Sequence, residues 1–376
     1  MRIAFLCKRR YMGKDVIEDR YARLYEIPFQ LAQRGHDVLG LCLSYYGDAE
    51  GEWTHRTDAG HLQWFSRSLD RTRIVGLLAY PSRALARLRI FAPDVIISAS
   101  DIPHVVIGAS LARKIGVPFV ADLYDNFESF GLARIPGAVW AYRRAVRDAA
   151  LVTCTSAALA DHVRQAYQAR GVVTAMPSTV DKAIFHPRDR QQCRRKLGLP
   201  PDAKLVGTAG GLYADKGVGT LYEAFERVAA EDPDVHLVLA GPTSAALPPP
   251  THARVHYLGS LPHESVAELF CALDTGVIYL RDTPFGRFCF PQKAYEMLAC
   301  ELPVVAADVG AMGGLFGAVP ACLYRPDDSA DLAQKIIGQL RRRSVPAVCI
   351  DDWAGIIGEL DEQLRALINR VRAAVS

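Results

Sequence analysis

Long apolar runs are missing from this chain. No stretch reaches the roughly 18 residues that crossing a bilayer requires, and Met1-Arg2-Ile3-Ala4-Phe5-Leu6-Cys7 enters a strand-like segment with no signal-peptide cleavage site. These two absences lead us to expect a cytoplasmic protein. Paired cysteines are missing too: the nine cysteines are scattered and odd in number, and none forms a Cys-x-x-Cys pair. Cys42, Cys154, Cys271 and Cys300 lie inside apolar runs, so we expect reduced core residues rather than disulfides or a zinc site. Metal-ligand spacing is absent, since the one Asp-x-Asp, Asp232-Pro-Asp234, precedes its strand and sits away from the end where sites form. The Walker spacing Gly-x-x-x-x-Gly-Lys-Ser/Thr is absent as well. With no recognised nucleic-acid motif and a net charge of only +3, no nucleic-acid partner is expected. Low complexity is confined to Pro248-Pro249-Pro250, which reads as a loop.

What is present is enough for two α/β domains. The chain has 376 residues, half of them hydrophobic, so each domain can bury a sizeable core. Strand-like runs alternate with helix-like segments, the pattern of a parallel sheet covered by helices. Residues 2–7 read as a strand, residues 21–34 as a helix stopped at Gly35, and residues 37–43 as the next strand. Further strands are expected at 93–98, 118–122 and 151–155. The same grammar restarts after Pro187, with strands expected at 204–209, 235–240, 255–258, 275–280 and 303–307. Turn chemistry at Pro177, Ser178, Asp181 and Pro187 places a boundary near 176–187. We expect domains at 1–180 and 181–350, followed by a long amphipathic helix from about 352 to 374.

Charge is uneven between these halves. Residues 1–180 carry 23 Lys/Arg against 17 Asp/Glu, a balance of +6, whereas residues 181–376 carry 21 against 24, a balance of −3. Within the basic half, Arg67, Arg71, Arg73, Arg83, Arg87 and Arg89 interleave with Leu69, Ile74, Leu77, Leu78, Leu85 and Leu88, and only Asp70 interrupts them. This pattern suits either a peripheral contact with an anionic membrane or a solvated arginine-rich helix on its own domain.

The most informative stretch runs from Phe290 to Asp308: a turn, a short helix and an apolar strand. Pro291 suits a first helical turn, Tyr295, Leu298, Ala299 and Leu302 are spaced for one buried face, and Glu296 lies beside that face. A carboxylate there can accept two hydroxyls of one sugar ring, and the helix start can offer backbone amides to phosphate. A surface Glu on an ordinary helix is the plainer alternative. Before it comes Thr208-Ala-Gly-Gly-Leu-Tyr-Ala-Asp-Lys-Gly217, between a strand and a helix, where Gly210 and Gly211 allow close approach of phosphate and Lys216 neutralises it.

The run Phe290, Pro291, Lys293, Glu296, Ala299, Pro303, Val304, Val305 resembles the donor-site segment of retaining nucleotide-sugar glycosyltransferases of the GT-B fold, family-4 type (glycosyl transferases group 1). Lys216-Gly217 resembles that family's diphosphate loop, Pro177 to Pro187 its interdomain linker, and His256 to Pro262, with Gly259 and Leu261, its loop beside the nucleotide base. Leu31 to Val38 resembles its first helix and second strand. Three positions depart from the family: Gly211 stands in place of an arginine that grips diphosphate, Phe288 in place of an acid that contacts the donor sugar, and Glu301 in place of a helix-ending glycine.

The resemblance implies an α/β GT-B fold, two Rossmann-like domains facing each other across a cleft, with the final helix returning to the first domain. It implies a glycosyltransferase that moves a sugar, with retention, from a nucleoside diphosphate sugar to an acceptor. The basic first half suggests a saccharide or lipid-linked acceptor in polysaccharide or glycoconjugate biosynthesis. Without metal-ligand spacing, we expect Lys216 and a helix dipole, not a divalent metal, to neutralise the diphosphate. No cofactor beyond the donor is implied. Lys216 and Glu296 are the expected catalytic residues together with Asp125, and the donor site adds Gly13, Gly210, Gly211, Gly259, Leu261, Phe290, Pro291 and Lys293. Backbone amides around Phe285 to Phe290 are expected to stand in for the missing acid. On the acceptor side the candidates are Asp101, His104, Tyr124 and Asp125, at the ends of first-domain strands. His104 is expected on a loop, and the plainer role for Asp125 is a helix N-cap. Two other readings stay open, a noncatalytic sugar-nucleotide-binding partner of another transferase and a sugar-nucleotide epimerase of the same architecture.

Overall fold

The computed structural model describes residues 1–69 and 73–375, which divide into two units: Met1–Ser178 with Trp353–Ser376, and Thr179–Asp352. The strands of the first unit are β1 (Arg2–Lys8), β2 (Arg10–Tyr11), β3 (Lys14–Asp15), β4 (Asp37–Ser44), β5 (Gly51–His55), β6 (His61–Ser68), β7 (Val95–Ser98), β8 (Phe119–Leu123), β9 (Leu151–Cys154) and β10 (Val172–Ala175). Eight of them form one sheet in the order β10-β9-β8-β7-β1-β4-β6-β5, and β2-β3 is a separate small hairpin. All neighbours in the large sheet run parallel except β5, which returns antiparallel along β6. The apolar run Ile3 to Cys7 is fully buried because helices cover both faces of a parallel sheet.

Its helices are α1 (Ala22–Gln33), α2 (Arg73–Phe91), α3 (Ile102–Ile115), α4 (Ala138–Arg147) and α5 (Ala157–Ala166). The terminal helix, Trp353–Val375, packs on this unit: Ile357, Leu360, Leu364 and Ile368 are buried in its core. His36 Nε2 meets Asp361 Oδ1 at 2.7 Å, and Arg34 donates to the Ala354 carbonyl at 2.9 Å.

In the second unit the helices are α6 (Arg190–Lys196), α7 (Val218–Glu231), α8 (His263–Ala272), α9 (Pro284–Phe288), α10 (Lys293–Ala299), α11 (Ala311–Phe316) and α12 (Ser329–Arg341), so the terminal helix is α13. Its strands β11 (Lys204–Ala209), β12 (Val235–Ala240), β13 (Val255–Tyr257), β14 (Thr275–Ile278), β15 (Val304–Ala307) and β16 (Leu323–Tyr324) lie in the order β13-β12-β11-β14-β15-β16, all parallel. In both units the chain steps outward on one side of the first strand and then resumes on its other side. That reversal creates a crevice at the C-terminal ends of the central strands, between β1 and β7 and between β11 and β14.

Two expectations are corrected. The arginine-rich stretch is not one uninterrupted basic helix: Arg67 belongs to β6, and the antiparallel edge strand brings Glu50 to Arg67 and Glu52 to Arg87. Acids distant in sequence thus neutralise part of that stripe. Asp70 and Arg71 lie outside the described residues, as do the side chains of Arg73, Ile74, Leu77 and Leu78. The buried face of α10 is Ala294, Met297 and Leu298, with Tyr295 and Ala299 only half-buried. Among the described residues no helix is long and apolar enough to cross a membrane.

Candidate functional site

The crevice of the second unit is built from glycines that let three strand ends converge. Gly210 follows β11 at φ +115° and Gly241 follows β12 at φ +127°, conformations that L side chains rarely adopt. A Cβ on Gly241 would stand 2.1 Å from the Gly210 carbonyl oxygen. Gly241 N donates to Gly259 O at 2.7 Å, so the loop after β13, with half-buried Leu261 beyond it, joins the same edge. Across the reversal point, Tyr279 follows β14 and its hydroxyl donates to Gly211 O at 2.8 Å.

Two lysines enter this crevice from opposite sides. Lys216 closes a 3-10 turn, Ala214–Lys216, that ends in Gly217 at φ +96°. Its ammonium lies 5.5 Å from the Tyr213 ring centroid and 5.7 Å from that of Phe285. Lys293, the first residue of α10, carries its ammonium 5.0 Å from the centroid of Tyr279 and against Gly210. Burial, and after it the like charge of Lys216, together push the Lys293 ammonium down to about 8 against the opposing pull of Glu296 and Cys289. At Gly211, where the resemblance leads one to expect an arginine, a Cβ would stand 2.5 Å from the Tyr213 ring, so a side chain there requires that ring to move. The second cation of the crevice is Lys293.

Glu296 sits one turn along α10. Its Oε1 is 3.3 Å from Gln292 Nε2 and 3.6 Å from His263 Nε2, and the side chain is largely covered. Phe290 packs on Tyr295 at 4.7 Å between ring centroids, which fixes the turn into this helix. Pro291 precedes the helix instead of opening it. Ala294 N and Tyr295 N close onto the carbonyls of Pro291 and Gln292, so these two amides of the first turn are used within the helix. The amides near Phe288 are used likewise: Gly286 N bonds Thr283 Oγ1, Arg287 N bonds Thr283 O, and Cys289 N bonds Phe285 O. Three of the amides expected to replace the missing acid are therefore committed to α9.

In the first unit the strand-end residues separate into a buried network and a half-buried rim. Asp101 caps α3: it accepts from His104 N at 3.0 Å, lies 2.6 Å from His104 Nδ1 and accepts from the Tyr45 hydroxyl at 3.0 Å. Burial raises the Asp101 carboxyl, but His104 and the cap bond outweigh it and hold the group below its ordinary range. His104 is in α3 and fully buried, which corrects the expectation of a loop histidine: the helix begins at Ile102 and turns the ring inward. Tyr124 and Asp125, just past β8, are half-buried. The N-cap of the short turn that follows is Asn126, whose side chain accepts from Glu128 N; Asp125 Oδ1 instead accepts from Asn126 N at 2.8 Å.

Lys8, which sequence reasoning passed over, ends β1 and donates to the Tyr124 hydroxyl at 2.9 Å, while that hydroxyl donates to Ser100 O at 2.9 Å. Tyr11 leans edge-on against Tyr124 at 4.8 Å. The cue was a lysine at the end of the central strand, but recognising the strand as central needs the sheet order. Tyr279 was missed for the same reason. Gly13 sits at φ +81° after Met12 at φ +52°, the two turn residues of the β2-β3 hairpin, and nearby Asp15 is buried against Arg9 at 2.9 Å. Asp122 is a structural group, held by Arg23 at 2.5 Å and by the Thr153 hydroxyl at 2.6 Å.

A family model described as glycosyl transferases group 1 matches residues 203–342, and one described as glycosyltransferase family 4 matches residues 23–183. The chain is 26% identical over 244 residues, 65% of this chain and 60% of the relative, to a glycosyltransferase assigned to teichuronic acid biosynthesis in Bacillus subtilis. It is 30% identical over 268 residues, 65% of this chain and 57% of the relative, to a D-inositol 3-phosphate glycosyltransferase of Stackebrandtia nassauensis. The chain thus spans about three fifths of the length of these relatives. Sucrose-phosphate synthase from Thermosynechococcus elongatus has a similar structure, with a TM-score of 0.75, 18% identity and coverage of 98% of this chain and 99% of that one. Anabaena HepE in complex with UDP and glucose is similar at a TM-score of 0.65, 20% identity and coverage of 100% and 99%. Two Rossmann-like domains are the fold shared with these structures, and the segments matched by the two family models together cover most of the chain.

Proposed function

We infer that this chain is a glycosyltransferase that takes its sugar from a nucleoside diphosphate sugar and does so with retention and without a divalent metal. The observation that carries the reading is the pair Lys216 and Lys293 with Glu296 at the strand reversal of the second unit. Two ammonium groups answer the charge of a diphosphate without a metal ion, and a carboxylate one helical turn away is suited to a ribose diol. As the sugar leaves, negative charge grows on the diphosphate, so cations placed there stabilise the transition state more than the ground state. A diphosphate oxygen on the same face can then take the proton of the incoming acceptor hydroxyl, and no protein nucleophile is needed. The rim of Lys8, Tyr124 and Asp125 in the first unit is assigned to the acceptor, with Asp101 and His104 behind it as support. UDP is the first donor nucleotide to try, because structurally similar proteins have been solved with it.

The test is a thermal-shift screen of UDP, GDP, ADP and dTDP with their common sugar conjugates, with and without EDTA, on the native chain and on Lys216→Ala and Glu296→Ala. A selective shift that survives EDTA and disappears in both variants supports the donor site. The anomeric configuration of any product, read by NMR, decides retention. Binding without turnover would favour a noncatalytic sugar-nucleotide-binding partner, the second reading, for which Phe288 and Gly211 speak. No shift with any nucleotide would remove the donor-site assignment.

A further inference from the structure

A second acid-free basic helix lies apart from the one the arginine pattern suggests. From Phe130 to Arg147 the chain carries Arg134, Arg143, Arg144 and Arg147 and no acid. On α4, Trp140, Arg143, Arg144 and Arg147 follow the i, i+3, i+4, i+7 spacing of one helical face, and all four are exposed, whereas Tyr142, Ala145 and Val146 face the core. This is an amphipathic helix whose outer stripe combines an aromatic ring with guanidinium groups.

Apolar exposure is concentrated at the same place. Phe130, Leu132, Ile135 and Trp140 are 46%, 36%, 53% and 67% exposed, four of the eleven exposed large apolar side chains among the described residues, within eleven consecutive positions. Water solvates such a cluster poorly, and a protein with no use for it loses nothing by replacing it with polar residues. The Arg144 guanidinium lies 5.6 Å from the Trp140 ring centroid, so the ring and the charge present together. Beside them an open groove of about 430 Å³ is lined by Trp140, Arg143, Arg144, Arg147, Tyr167 and Arg170 among others. Asp148 is its acid, 4.0 Å from Arg144 and 3.4 Å from Arg170; Arg143 is held by Glu128 at 2.7 Å. Arg134 and Arg147 have no such ion pair among the described residues.

We propose that the segment Phe130 to Arg147 docks this protein on an anionic lipid surface, with Phe130, Leu132, Ile135 and Trp140 entering the headgroup boundary and the arginines of α4 binding lipid phosphates. Aromatic and aliphatic side chains beside a basic helical stripe are the composition that lies in the interface plane of a membrane. A soluble polyanion would use the arginines and leave the four apolar side chains in water, whereas a lipid surface uses both. The segment follows the loop that begins at Tyr124 and Asp125, so docking there brings the assigned acceptor rim of the same unit toward lipid-linked molecules. The docking itself does not depend on any reading of the donor site.

The test is co-sedimentation of the full chain with vesicles of phosphatidylcholine alone and of phosphatidylcholine mixed with phosphatidylglycerol. Binding to the mixed vesicles alone, weakened by salt, is the expected result. Charge contributes about a fivefold factor for each basic residue near such a surface, so Arg144→Gln with Arg147→Gln weakens binding roughly 25-fold. Ile135→Ser with Trp140→Ser weakens it comparably, while Arg83→Gln with Arg89→Gln on α2 leaves it unchanged. As a readout on protein with an unaltered fold, the native chain shows a blue shift of tryptophan emission on mixed vesicles, and Trp140→Phe removes that shift while retaining binding. Failure to bind mixed vesicles, equal binding by the α4 variants, or release of the protein by free glycerol phosphate would each overturn the proposal.

Discussion

The ammonium of Lys293 lies tightly beside Gly210: a Cβ built on Gly210 would stand 3.2 Å from Lys293 Nζ. The two residues come from opposite sides of the strand reversal, and Gly210 also holds φ +115°. Replacing Gly210 by alanine is therefore expected to strain the backbone and to push the ammonium aside by a few tenths of an ångström. A fall of about tenfold or more in affinity for the nucleotide, read by calorimetry, is the expected outcome, since one charge-assisted contact contributes about 1.5–3 kcal/mol. Unchanged affinity would show that neither the strain nor the crowding moves Lys293 from its binding position.

Titration gives a second test of the same ammonium. Because Lys293 is held near 8 by burial and by Lys216, it is charged below that pH and neutral above it. Affinity for the diphosphate should fall as pH rises through about 8, and Lys293→Met should bind more weakly with that step gone. Stability moves the other way. The folded value lies below that of an exposed lysine, so between about pH 8 and 10.4 the unfolded chain holds more protons, and stability gained from this group rises with pH across that window. At neutral pH Lys293→Met should therefore melt higher than the native chain while binding less.

Glu296 allows binding to be separated from folding. It is largely covered, yet its nearest polar partners, Gln292 at 3.3 Å and His263 at 3.6 Å, are at or beyond the limit of a good hydrogen bond. Glu296→Ala should lower nucleotide affinity by about 10- to 150-fold, the loss of one hydrogen bond to a charged acceptor. Its melting temperature should stay within a few degrees of the native value. A deoxyribose nucleotide that binds the native chain as well as the ribose form would remove the diol from this account.

Arg23 and Asp122 form an ion pair with almost no exposure on either side, and Thr153 and the Met176 carbonyl complete it. Removing one partner leaves the other charge buried and unpaired, which costs about 3–5 kcal/mol. Arg23→Met or Asp122→Asn should therefore unfold the first unit at markedly lower denaturant. The double variant should lose less than the sum of the two, because no orphaned charge remains. Additive losses would mean that the pair is not coupled.

The parts of this molecule legible in sequence are those where one local signal dominates. Residues 204–209 and 235–240 form strands at the expected bounds because each is a buried apolar run bordered by turn residues. The edge strand β5 and its neighbour β6 are not legible, since Glu52, His61, Gln63 and Arg67 alternate with their apolar residues and half of each strand faces water. That gap carries over to charge: without β5, nothing in the sequence places Glu50 and Glu52 beside the arginines. In the seven-residue α10, two helical faces fit the pattern nearly equally, and packing under β14 and β15 selected Ala294, Met297 and Leu298. Lys216 and Glu296 were named from their motifs, whereas Tyr279 and Lys8 matter only because strand order brings them to a reversal point.

Glu301 shows what a departure from a motif costs. It follows α10 at φ +54°, the left-handed conformation that ends many helices and that glycine adopts without penalty. Leu302 N returns to Met297 O at 3.0 Å and Glu301 N to Leu298 O at 2.9 Å, so the turn is fully formed despite the side chain. The glutamate backbone is strained there by about 1 kcal/mol, while its side chain faces solvent. Glu301→Gly should relieve that strain, with part of the gain offset by the greater freedom of glycine in the unfolded chain. A rise of about 1–3 °C in the melting temperature of the second unit is expected, by calorimetry, with nucleotide binding unchanged. A lower melting temperature would show that the carboxylate supports the turn in a way that outweighs its backbone cost.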